Sequence, residues 1–540
     1  MGLNFLFDIG RGGRVCRAQL HAFAGDRRGV TSIFFGIMII AILFVAAVAI
    51  DYSRLVTERV RDQRALDAAM LAASTQLGAD DAATVGEKMA KAYYAANRTQ
   101  STNSTLANVV IDPEDGSISA KTATDWKASL LRAVEGYFPG ISQDRQVSVK
   151  AKVNRGNGTT EIALVLDNSG SMSGTYISDL KTAAKDLLKP VFAGVEGSER
   201  VKVGVIPFAA AVNVGSLYQG ASWIDSGGAS AIHYENFSEN RTRFQLFNDL
   251  NIAWGGCVEA RPGGLDVTDD PAIGGDSLFV PMFAPDEPGD AGSNNLGYSN
   301  SYIDDDGGTC TPYEKVCLNY SRRGKCTSWE TIRIPNEDAQ ARTCKYANQP
   351  IVSGTGPNAM CTTQAILPLN SMKSSIELAI DSMQASGNTN IKEGLAWGWR
   401  VLSPEPPFDE GREYSSEANS KILILMTDGE NYYNDENNHN LSIYASHGFA
   451  SKGRLGTTHT RAGYNAHLNE ATRQACANAK AAGITIYTVA FRLENDPNTQ
   501  AILNECATSD DETFTASDGG MLIQAFRNIG NSITAMRLSE

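Results

Sequence analysis

The feature that most constrains this chain is an apolar run that ends in a loop of small polar residues. Residues 162–166, IALVL, lie between polar neighbours, a pattern typical of a strand buried on both faces of a parallel sheet. Asp167, Ser169 and Ser171 follow at alternate positions. A carboxylate and two hydroxyls in such a turn can point at one cation, and they suit Mg²⁺ or another hard divalent ion. The alternative is an ordinary turn before a helix N-cap.

Two distant segments favour the cation site. Residues 421–430, KILILMTDGE, repeat the design, with a buried-strand pattern that ends at Asp428. Thr389 lies between the two strands, in a Gly-Asn-Thr-Asn segment that opens a helical pattern. In a parallel sheet the carboxyl ends of the strands share one edge, where ligands bind. We therefore expect five side chains to meet at that edge: Asp167, Ser169, Ser171, Thr389 and Asp428.

This set of motifs resembles the von Willebrand factor A domain and its metal-ion-dependent adhesion site. That family combines Asp-x-Ser-x-Ser, a threonine, and an aspartate after an apolar strand, and each element is present here in that order. The resemblance implies that the first four side chains surround an ion, Mg²⁺ or alternatively Mn²⁺ or Ca²⁺, while Asp428 binds it directly or through water. It also implies that the ion accepts an acidic group from a protein partner. The resemblance covers about residues 161–539, with one large interruption.

A long apolar stretch lies near the N-terminus. Residues 29–50 carry no charge and residues 32–50 are nearly all apolar, which fits a membrane-spanning helix. A cleaved signal peptide is the alternative, but its apolar region is shorter and ends at a small-residue cleavage site. Residues 1–29 contain five arginines and two aspartates, so the positive-inside rule places them in the cytoplasm. We expect a single-pass protein of the bacterial inner membrane with its main domain in the periplasm.

The residues that flank this stretch carry a second resemblance. Charged residues precede the span, and Asp51-Tyr52-Ser53-Arg54 and an alanine-rich helical pattern follow it. This arrangement resembles the TadE/TadG-like pilus-assembly proteins of the tight-adherence (Flp) system, in which a von Willebrand A domain often follows on the periplasmic side. Related pilin-like proteins are cleaved after a glycine and carry a glutamate at the fifth mature position. Gly29 fits the first feature, but Phe34 replaces the glutamate, which argues against peptidase processing.

The chain is too long for one core, and its patterns predict four segments. We expect a cytoplasmic N-terminus at 1–29, a transmembrane helix at 30–50, a TadE/TadG-like stalk with a small α+β region at 51–157, and an A domain at 158–540. The A domain is expected to be a Rossmann-like α/β fold with a six-stranded, mostly parallel sheet and helices on both faces. Its regular alternation is lost at about 209–368, which we interpret as a Cys-containing insertion near the ligand edge.

Cysteine usage is consistent with an exported domain. One cysteine precedes the apolar stretch and eight follow it, an even number that fits disulfides in an oxidising compartment. Four cysteines of the insertion lack the close paired spacing of structural zinc sites. The sequence does not define the connectivity. We expect Cys476 to pair with Cys506, Cys257 to pair with Cys361, and the remaining four to pair among themselves.

Two polar segments offer further, weaker candidates for metal binding. Three successive aspartates at residues 304–306 suit a calcium ion, but they lack the full spacing and terminal glutamate of an EF-hand loop. We interpret them as a solvated acidic turn. Residues 431–460 contain three histidines whose spacing does not suit a single site, so we interpret this segment as a solvated loop.

Composition and motifs favour recognition over catalysis. The net charge of −14 and the absence of a basic patch argue against a nucleic-acid partner. No motif places a general base, a nucleophile elbow or a phosphate-binding loop, so no catalytic residue is predicted. We expect a pilus-assembly or adhesion component that binds a pilin, an assembly partner or a surface ligand. An envelope A-domain protein unrelated to pili and a metal-dependent hydrolase remain the alternatives.

Overall fold

The structure, a computed structural model, divides the chain into two compact units, Met1–Asn154 (unit 1) and Arg155–Glu540 (unit 2). Each unit has its own buried core. The structure describes residues 30–74, 82–98, 104–112, 117–133, 135, 145–154, 158–193, 195–292, 296–311, 313–351, 356–416 and 419–539.

Unit 1 combines helices with a small antiparallel sheet. Strand β2 pairs with β1, β3 and β4, and all three pairings are antiparallel. The sequence pattern of residues 127–138 predicts one helix, but the structure shows it only as α3 (Leu130–Ala133), and residues 134 and 136–138 lie outside the described residues. The alternating pattern of residues 146–153 predicts one strand, whereas the structure has two, β3 and β4. The elements of unit 1 are α1 (Val30–Ser74), α2 (Ala82–Asn97), β1 (Ser104–Asp112), β2 (Ser117–Trp126), α3 (Leu130–Ala133), β3 (Arg145–Val147) and β4 (Lys150–Asn154).

Helix α1 has two chemically different halves. Its first half exposes large apolar side chains, including Phe34, of which 68% is exposed, and Leu43, of which 64% is exposed. Its second half buries Leu66 and Met70 in a core shared with α2 and the sheet. The helix is long and apolar enough to cross a membrane by length and composition. The apolar half and the core-forming half are one uninterrupted helix.

Two buried aspartates fix α1 to the rest of unit 1. The Asp51 carboxylate accepts hydrogen bonds of 2.8–3.3 Å from the backbone N–H groups of residues 129–131. Eleven residues further on, Asp62 forms an ion pair of 2.6 Å with Arg98 and accepts a hydrogen bond from Thr124. A buried carboxylate is stable only when such donors replace its water. These contacts therefore set the position of α1 against the sheet.

Unit 2 is built on the six-stranded, mostly parallel sheet that the sequence predicts. Its order is β12-β11-β10-β5-β6-β9, and every neighbouring pair is parallel except β6 and β9. Strand β9 is short and was not located from the sequence. The strands of unit 2 are β5 (Thr159–Asp167), β6 (Val201–Phe208), β7 (Tyr313–Tyr320), β8 (Cys326–Arg333), β9 (Leu367–Asn370), β10 (Asn419–Thr427), β11 (Thr485–Phe491) and β12 (Thr513–Ala516).

Helices cover both faces of this sheet, as predicted. Alternate residues of β5 point to opposite faces, so that Leu164 belongs to one core and Val165 to the other. The helix that contains Gly398 packs very closely against β5. A Cβ atom on Gly398 would lie 2.3 Å from Val165 Cγ2, so only glycine fits at this position. Helices α4 (Thr175–Phe192), α7 (Lys373–Ser382) and α11 (Gly519–Ser539) cover one face, and α8 (Ile391–Leu402), α9 (Arg461–Ala481) and α10 (Pro497–Cys506) cover the other.

The segment at 209–368 contains α5 (Arg243–Asp249), α6 (Asn336–Ala341) and the exposed hairpin of β7 and β8. It does not form a core of its own, because buried aromatic residues such as Phe279 join the core that includes Trp397 of α8. The two specified disulfides are confirmed, and the other four cysteines pair among themselves as expected. The bonds are Cys257–Cys361, Cys310–Cys344, Cys317–Cys326 and Cys476–Cys506.

The acidic turn at 304–306 is only partly solvated, which corrects one interpretation from the sequence. Asp305 is buried and forms an ion pair with Arg333. Its carboxylate also accepts a hydrogen bond from the backbone of Gly289, and the Asp304 carboxylate accepts one from Ala291. These carboxylates hold the surrounding loops together.

Candidate metal centre

Four of the five predicted side chains lie in one hydrogen-bonded cluster. Strands β5 and β10 are neighbours in parallel register, so their carboxyl ends bring Asp167 and Asp428 to the same edge of the sheet. The Ser171 hydroxyl donates to Asp428 Oδ1 at 2.7 Å, and the Ser169 and Ser171 hydroxyl oxygens are 2.9 Å apart. The backbone N–H of Ser169 donates to Asp167 Oδ1 at 2.8 Å. The carboxylates and hydroxyls of two loops therefore meet at one point.

The fifth side chain comes from the loop before α8. Thr389 is buried, and its hydroxyl oxygen lies 3.8 Å from the position that a Cβ atom on Gly429 would occupy. The backbone N–H of Gly170 donates to the Gly387 carbonyl at 2.8 Å, which joins the first and second loops. The N–H of Tyr432 donates to the Thr389 carbonyl at 2.8 Å, which joins the second and third. The three loops form one surface at the carboxyl edge of the sheet.

Both carboxylates of this cluster have raised pKa values. Asp167 is completely buried, and burial raises its pKa although Ser169 and Thr427 donate hydrogen bonds to it. Burial and the neighbouring charge of Asp167 raise the pKa of Asp428 to about 7. Within the described residues, no lysine, arginine or histidine forms an ion pair with either carboxylate. The site thus brings two acidic groups together without an ion pair, within the described residues, that would stabilise their charged forms.

The donor set fits a hard divalent cation. It consists of oxygen atoms only, from two carboxylates and three hydroxyls, and hard ions such as Mg²⁺, Mn²⁺ and Ca²⁺ prefer oxygen ligands. Soft or borderline ions favour sulfur and imidazole. Across the part of the chain that the structure describes, no group of three or more histidine, cysteine and acidic side chains is placed to hold a metal. The fit therefore rests on the hydroxyl oxygens together with the two aspartates.

Sequence reasoning missed the role of Thr427. Its hydroxyl donates to Asp167 Oδ2 at 2.7 Å, so both oxygens of that carboxylate are fixed, one by Thr427 and one by the Ser169 backbone. The signal was present in the sequence, because Thr427 directly precedes Asp428 at the end of β10. Its partner was not evident until the register of β5 and β10 placed it beside Asp167.

Sequence reasoning also misjudged residues 431–460, which are not a solvated loop. Asn431 accepts a hydrogen bond of 2.8 Å from the backbone of Ile391, the first residue of α8. The Ser446 hydroxyl accepts one of 3.0 Å from the Asn390 side chain. His447 is buried, and burial followed by the charge of Lys392 lowers its pKa to about 4. This segment supports the loop that carries Thr389 through these hydrogen bonds. No local sequence pattern indicates that role.

The insertion at 209–368 contributes to the same support. Asp266 forms an ion pair of 2.9 Å with Lys392, whose ammonium group is completely buried in the first turn of α8. The Thr362 hydroxyl donates to the Ser386 carbonyl at 2.8 Å. The backbone N–H of Asn390 donates to the Ala209 carbonyl at 3.0 Å. Residues from both ends of the insertion therefore contact the Thr389 loop, which agrees with its expected place near the ligand edge.

The family comparison bears on the N-terminal part of the chain. Residues 29–84 match the model of a family described as putative Flp pilus-assembly TadE/G-like. The chain carries a TadE/G-like segment. This match confirms the resemblance that Asp51-Tyr52-Ser53-Arg54 and the preceding apolar stretch suggest. A comparison with curated protein sequences gave no match.

Three solved structures illustrate the similarities of the chain. The vWF domain of the type V pili tip protein Mfa5 from Porphyromonas gingivalis is 11% identical, with 70% of this chain and 96% of that chain covered and a TM-score of 0.32. The pilus adhesin SpaC from Lactobacillus rhamnosus GG is 13% identical, with 77% and 32% covered and a TM-score of 0.31. Proximal thread matrix protein 1 from the mussel byssus, with a zinc-occupied MIDAS motif, is 12% identical, with 71% and 47% covered and a TM-score of 0.27. At these scores the similarities carry no functional argument for this chain.

Proposed function

We propose that this protein is a membrane-anchored component of pilus assembly or adhesion that binds a protein partner through a divalent cation. The cation is held by Asp167, Ser169, Ser171, Thr389 and Asp428, and Mg²⁺ is the ion that we expect there. The partner is a pilin, an assembly protein or a surface ligand that presents an acidic group. The observation that carries the proposal is the meeting of three loops at one sheet edge, with two carboxylates that form no ion pair with a basic side chain among the described residues.

The chain's own residues prepare this site in distinct ways. Thr427 and the Ser169 backbone fix the Asp167 carboxylate, so that it is held in place before any ligand arrives. Ser171 links the first loop to Asp428 and thereby couples the two strand ends. A bound cation would supply a coordination position for an acidic group of the partner, because only two protein carboxylates reduce its charge. Such an arrangement suits recognition, and we propose no catalytic residue.

The N-terminal half of α1 is the proposed anchor. Its apolar side chains are exposed in the first half of the helix, and the TadE/G-like match begins at residue 29, directly before it. An exposed apolar stretch of about 20 residues is stable in a lipid bilayer and unfavourable in water. We place the residues before the stretch in the cytoplasm, because of their arginines, and the rest of the chain after residue 50 on the periplasmic side of the bacterial inner membrane.

Calorimetric titration of the full chain in detergent with Mg²⁺ and Mn²⁺ tests the site directly. Asp167→Ala is expected to reduce affinity for either ion by at least about 100-fold, since it removes a buried ligand rather than an outer-shell partner. The sheet should persist, as judged by circular dichroism, because Asp167 ends its strand. Asp290→Ala, which removes an exposed aspartate of the insertion, is the matched control. Unchanged affinity in Asp167→Ala would refute the assignment.

Capture of partners from envelope extracts of the source bacterium tests the function. The full chain is used with Mg²⁺, with chelator, and as the Thr389→Ala variant. We expect a partner that only the wild type with Mg²⁺ retains, and identification of that partner as a pilus component supports the proposal. Equal retention in all three conditions would contradict it. Metal-dependent turnover of phosphoesters or peptides by the same preparation would favour a hydrolase instead.

A further inference from the structure

An arginine lies beside the candidate metal centre and takes no part in the donor set. Arg492 directly follows β11, the strand next to β10, so it stands at the same carboxyl edge as Asp428. Its backbone adopts the left-handed region, with φ of 57°, which is uncommon for a residue other than glycine. The backbone N–H of Arg492 donates to the Ala516 carbonyl at 2.7 Å. The chain therefore turns sharply at this residue, and β12 holds the turn in place.

The guanidinium group of Arg492 is positioned by an aromatic ring. Its central carbon lies 4.3 Å from the centre of the Tyr176 ring, within the range of a cation–π contact. Tyr176 belongs to the first turn of α4, which directly follows the loop of Ser169 and Ser171. The Tyr176 ring in turn packs edge-on against Phe491, with ring centres 5.8 Å apart. The loop after β5 and the end of β11 thus hold the arginine between them.

The guanidinium of Arg492 is exposed, and the contact described for it is with the ring of Tyr176 rather than with a carboxylate. Among the described residues, no carboxylate forms an ion pair with it. An exposed guanidinium next to an acidic site, held on an aromatic ring without an ion pair, remains available to an incoming anion.

We propose, on the basis of the function proposed above, that Arg492 is the second anchor for the partner's acidic group. One oxygen of the incoming carboxylate binds the cation, and the other accepts hydrogen bonds from the guanidinium. Arginine suits this role because its planar fork of N–H donors matches the two oxygens of a carboxylate. An amide presents one oxygen and one donor group, and a hydroxyl presents one oxygen, so neither satisfies both anchors. The site therefore selects an aspartate, a glutamate or a C-terminal carboxylate of the partner.

Acetate and acetamide are probes of the same shape that test this selection. The full chain in detergent is loaded with Mn²⁺, whose affinity is measured by electron paramagnetic resonance. Binding of each probe is then measured through the paramagnetic relaxation of its carbon nuclei. We expect the wild type to bind acetate and to discriminate against acetamide. Arg492→Ala should weaken acetate about tenfold, as expected for loss of a charge-assisted hydrogen bond. Its Mn²⁺ affinity should stay the same or rise, because a nearby positive charge is removed.

Variants of Tyr176 separate positioning from a general structural role. Tyr176→Phe keeps the ring and should retain acetate binding, whereas Tyr176→Ala should weaken acetate and leave Mn²⁺ affinity unchanged. Arg322→Ala, at the exposed tip of the β7–β8 hairpin, is the control for loss of an arginine charge. Acetate binding as tight in Arg492→Ala as in the wild type would overturn the inference. A parallel loss of Mn²⁺ and acetate affinity in that variant would overturn it as well. Failure of the wild type to bind Mn²⁺ would be a failure of the proposed function itself.

Discussion

Strands β5 and β10 carry buried charges at both ends, and the two ends are built in opposite ways. At the amino end, Glu161 is completely buried and forms ion pairs of 2.7 Å with Lys421 and 3.1 Å with Arg412. At the carboxyl end, Asp167 and Asp428 lie in one cluster whose other members are hydroxyl groups. The same pair of neighbouring strands therefore places a carboxylate in ion pairs at one edge, whereas the two carboxylates at the other edge form no ion pair among the described residues.

The pKa values of these groups follow the same division. Burial alone would raise the pKa of Glu161, but the hydrogen bond and charge of Lys421 outweigh burial and hold that pKa below its usual value. Burial acts in the other direction on Lys421, whose pKa it lowers. At the carboxyl end, burial and mutual repulsion raise the pKa of Asp428 to about 7. We infer that the amino end stabilises the fold, and that repulsion between the two carboxylates makes the carboxyl end less stable, an effect that the proposed cation would offset.

The largest expected effect follows from removing the ion pair between Lys421 and Glu161 at the amino end of the strands. Lys421→Met leaves Glu161 buried without its closest cation, and loss of one partner of a buried pair costs about 3–5 kcal/mol of unfolding free energy. Urea unfolding followed by tryptophan fluorescence measures this loss, and five of the six tryptophans belong to unit 2. Lys325→Met, in an exposed turn, is the control and should change stability little. A loss below about 1 kcal/mol in Lys421→Met would show that the pair is not needed for stability.

A smaller effect should appear when pH is lowered. The depressed pKa of Glu161 means that its contribution to stability is fully present above about pH 4.3, the unfolded value, and is lost as pH falls through the folded pKa. The difference in free energy of unfolding between the wild type and Glu161→Gln, measured by urea unfolding, should therefore narrow as pH falls below about 4. Glu494→Gln, which changes an exposed glutamate, should show a difference independent of pH. A constant difference for Glu161→Gln would contradict the charge argument.

The smallest effect concerns the carboxyl end of the strands, where we expect an increase in the free energy of unfolding rather than a decrease. Asp428→Asn removes repulsion with Asp167, and without divalent cations it should stabilise unit 2 by about 1 kcal/mol, a size common for relief of local strain. The same change should weaken Mg²⁺ binding, because it removes a charged ligand. Urea unfolding in chelator and calorimetric titration measure the two effects. Asp511→Asn, at an exposed turn, should do neither. Destabilisation by Asp428→Asn in chelator would show that this carboxylate supports the fold.

The sequence predicted the strands, and it indicated the five candidate side chains at their ends, because these signals are local. An apolar run followed by Asp-x-Ser-x-Ser indicates both the strand and the loop that ends it. The alternation of strands and helices then predicts a parallel sheet. The groups that sequence reasoning missed depend on contacts between distant segments. Thr427 acquires its role from the register of β10 on β5, and Arg492 from the position of β11 beside β10.

Polar composition gave the wrong answer for residues 431–460. This segment has few apolar runs, yet Tyr433 and His447 are buried and Asn431 caps the backbone at the start of α8. Its polar side chains satisfy buried backbone groups of other loops, and a pattern of single residues does not contain that information. For the cysteines, the even number after the apolar stretch predicted that all eight pair, but it did not define which pairs form, because that depends on contacts between distant segments.

Helix α1 gives the chain a mechanical property that its two halves would lack separately. Its 45 residues extend about 67 Å as one rod, in which each turn is linked to the next by backbone hydrogen bonds. The core of unit 1 is built on the second half of this rod, and the Asp51 carboxylate clamps residues 129–131 close to the end of the apolar stretch. If the first half of the helix is embedded in a membrane, a force applied to unit 1 would therefore be transmitted along the helix axis to that half. No flexible segment of α1 separates the two halves.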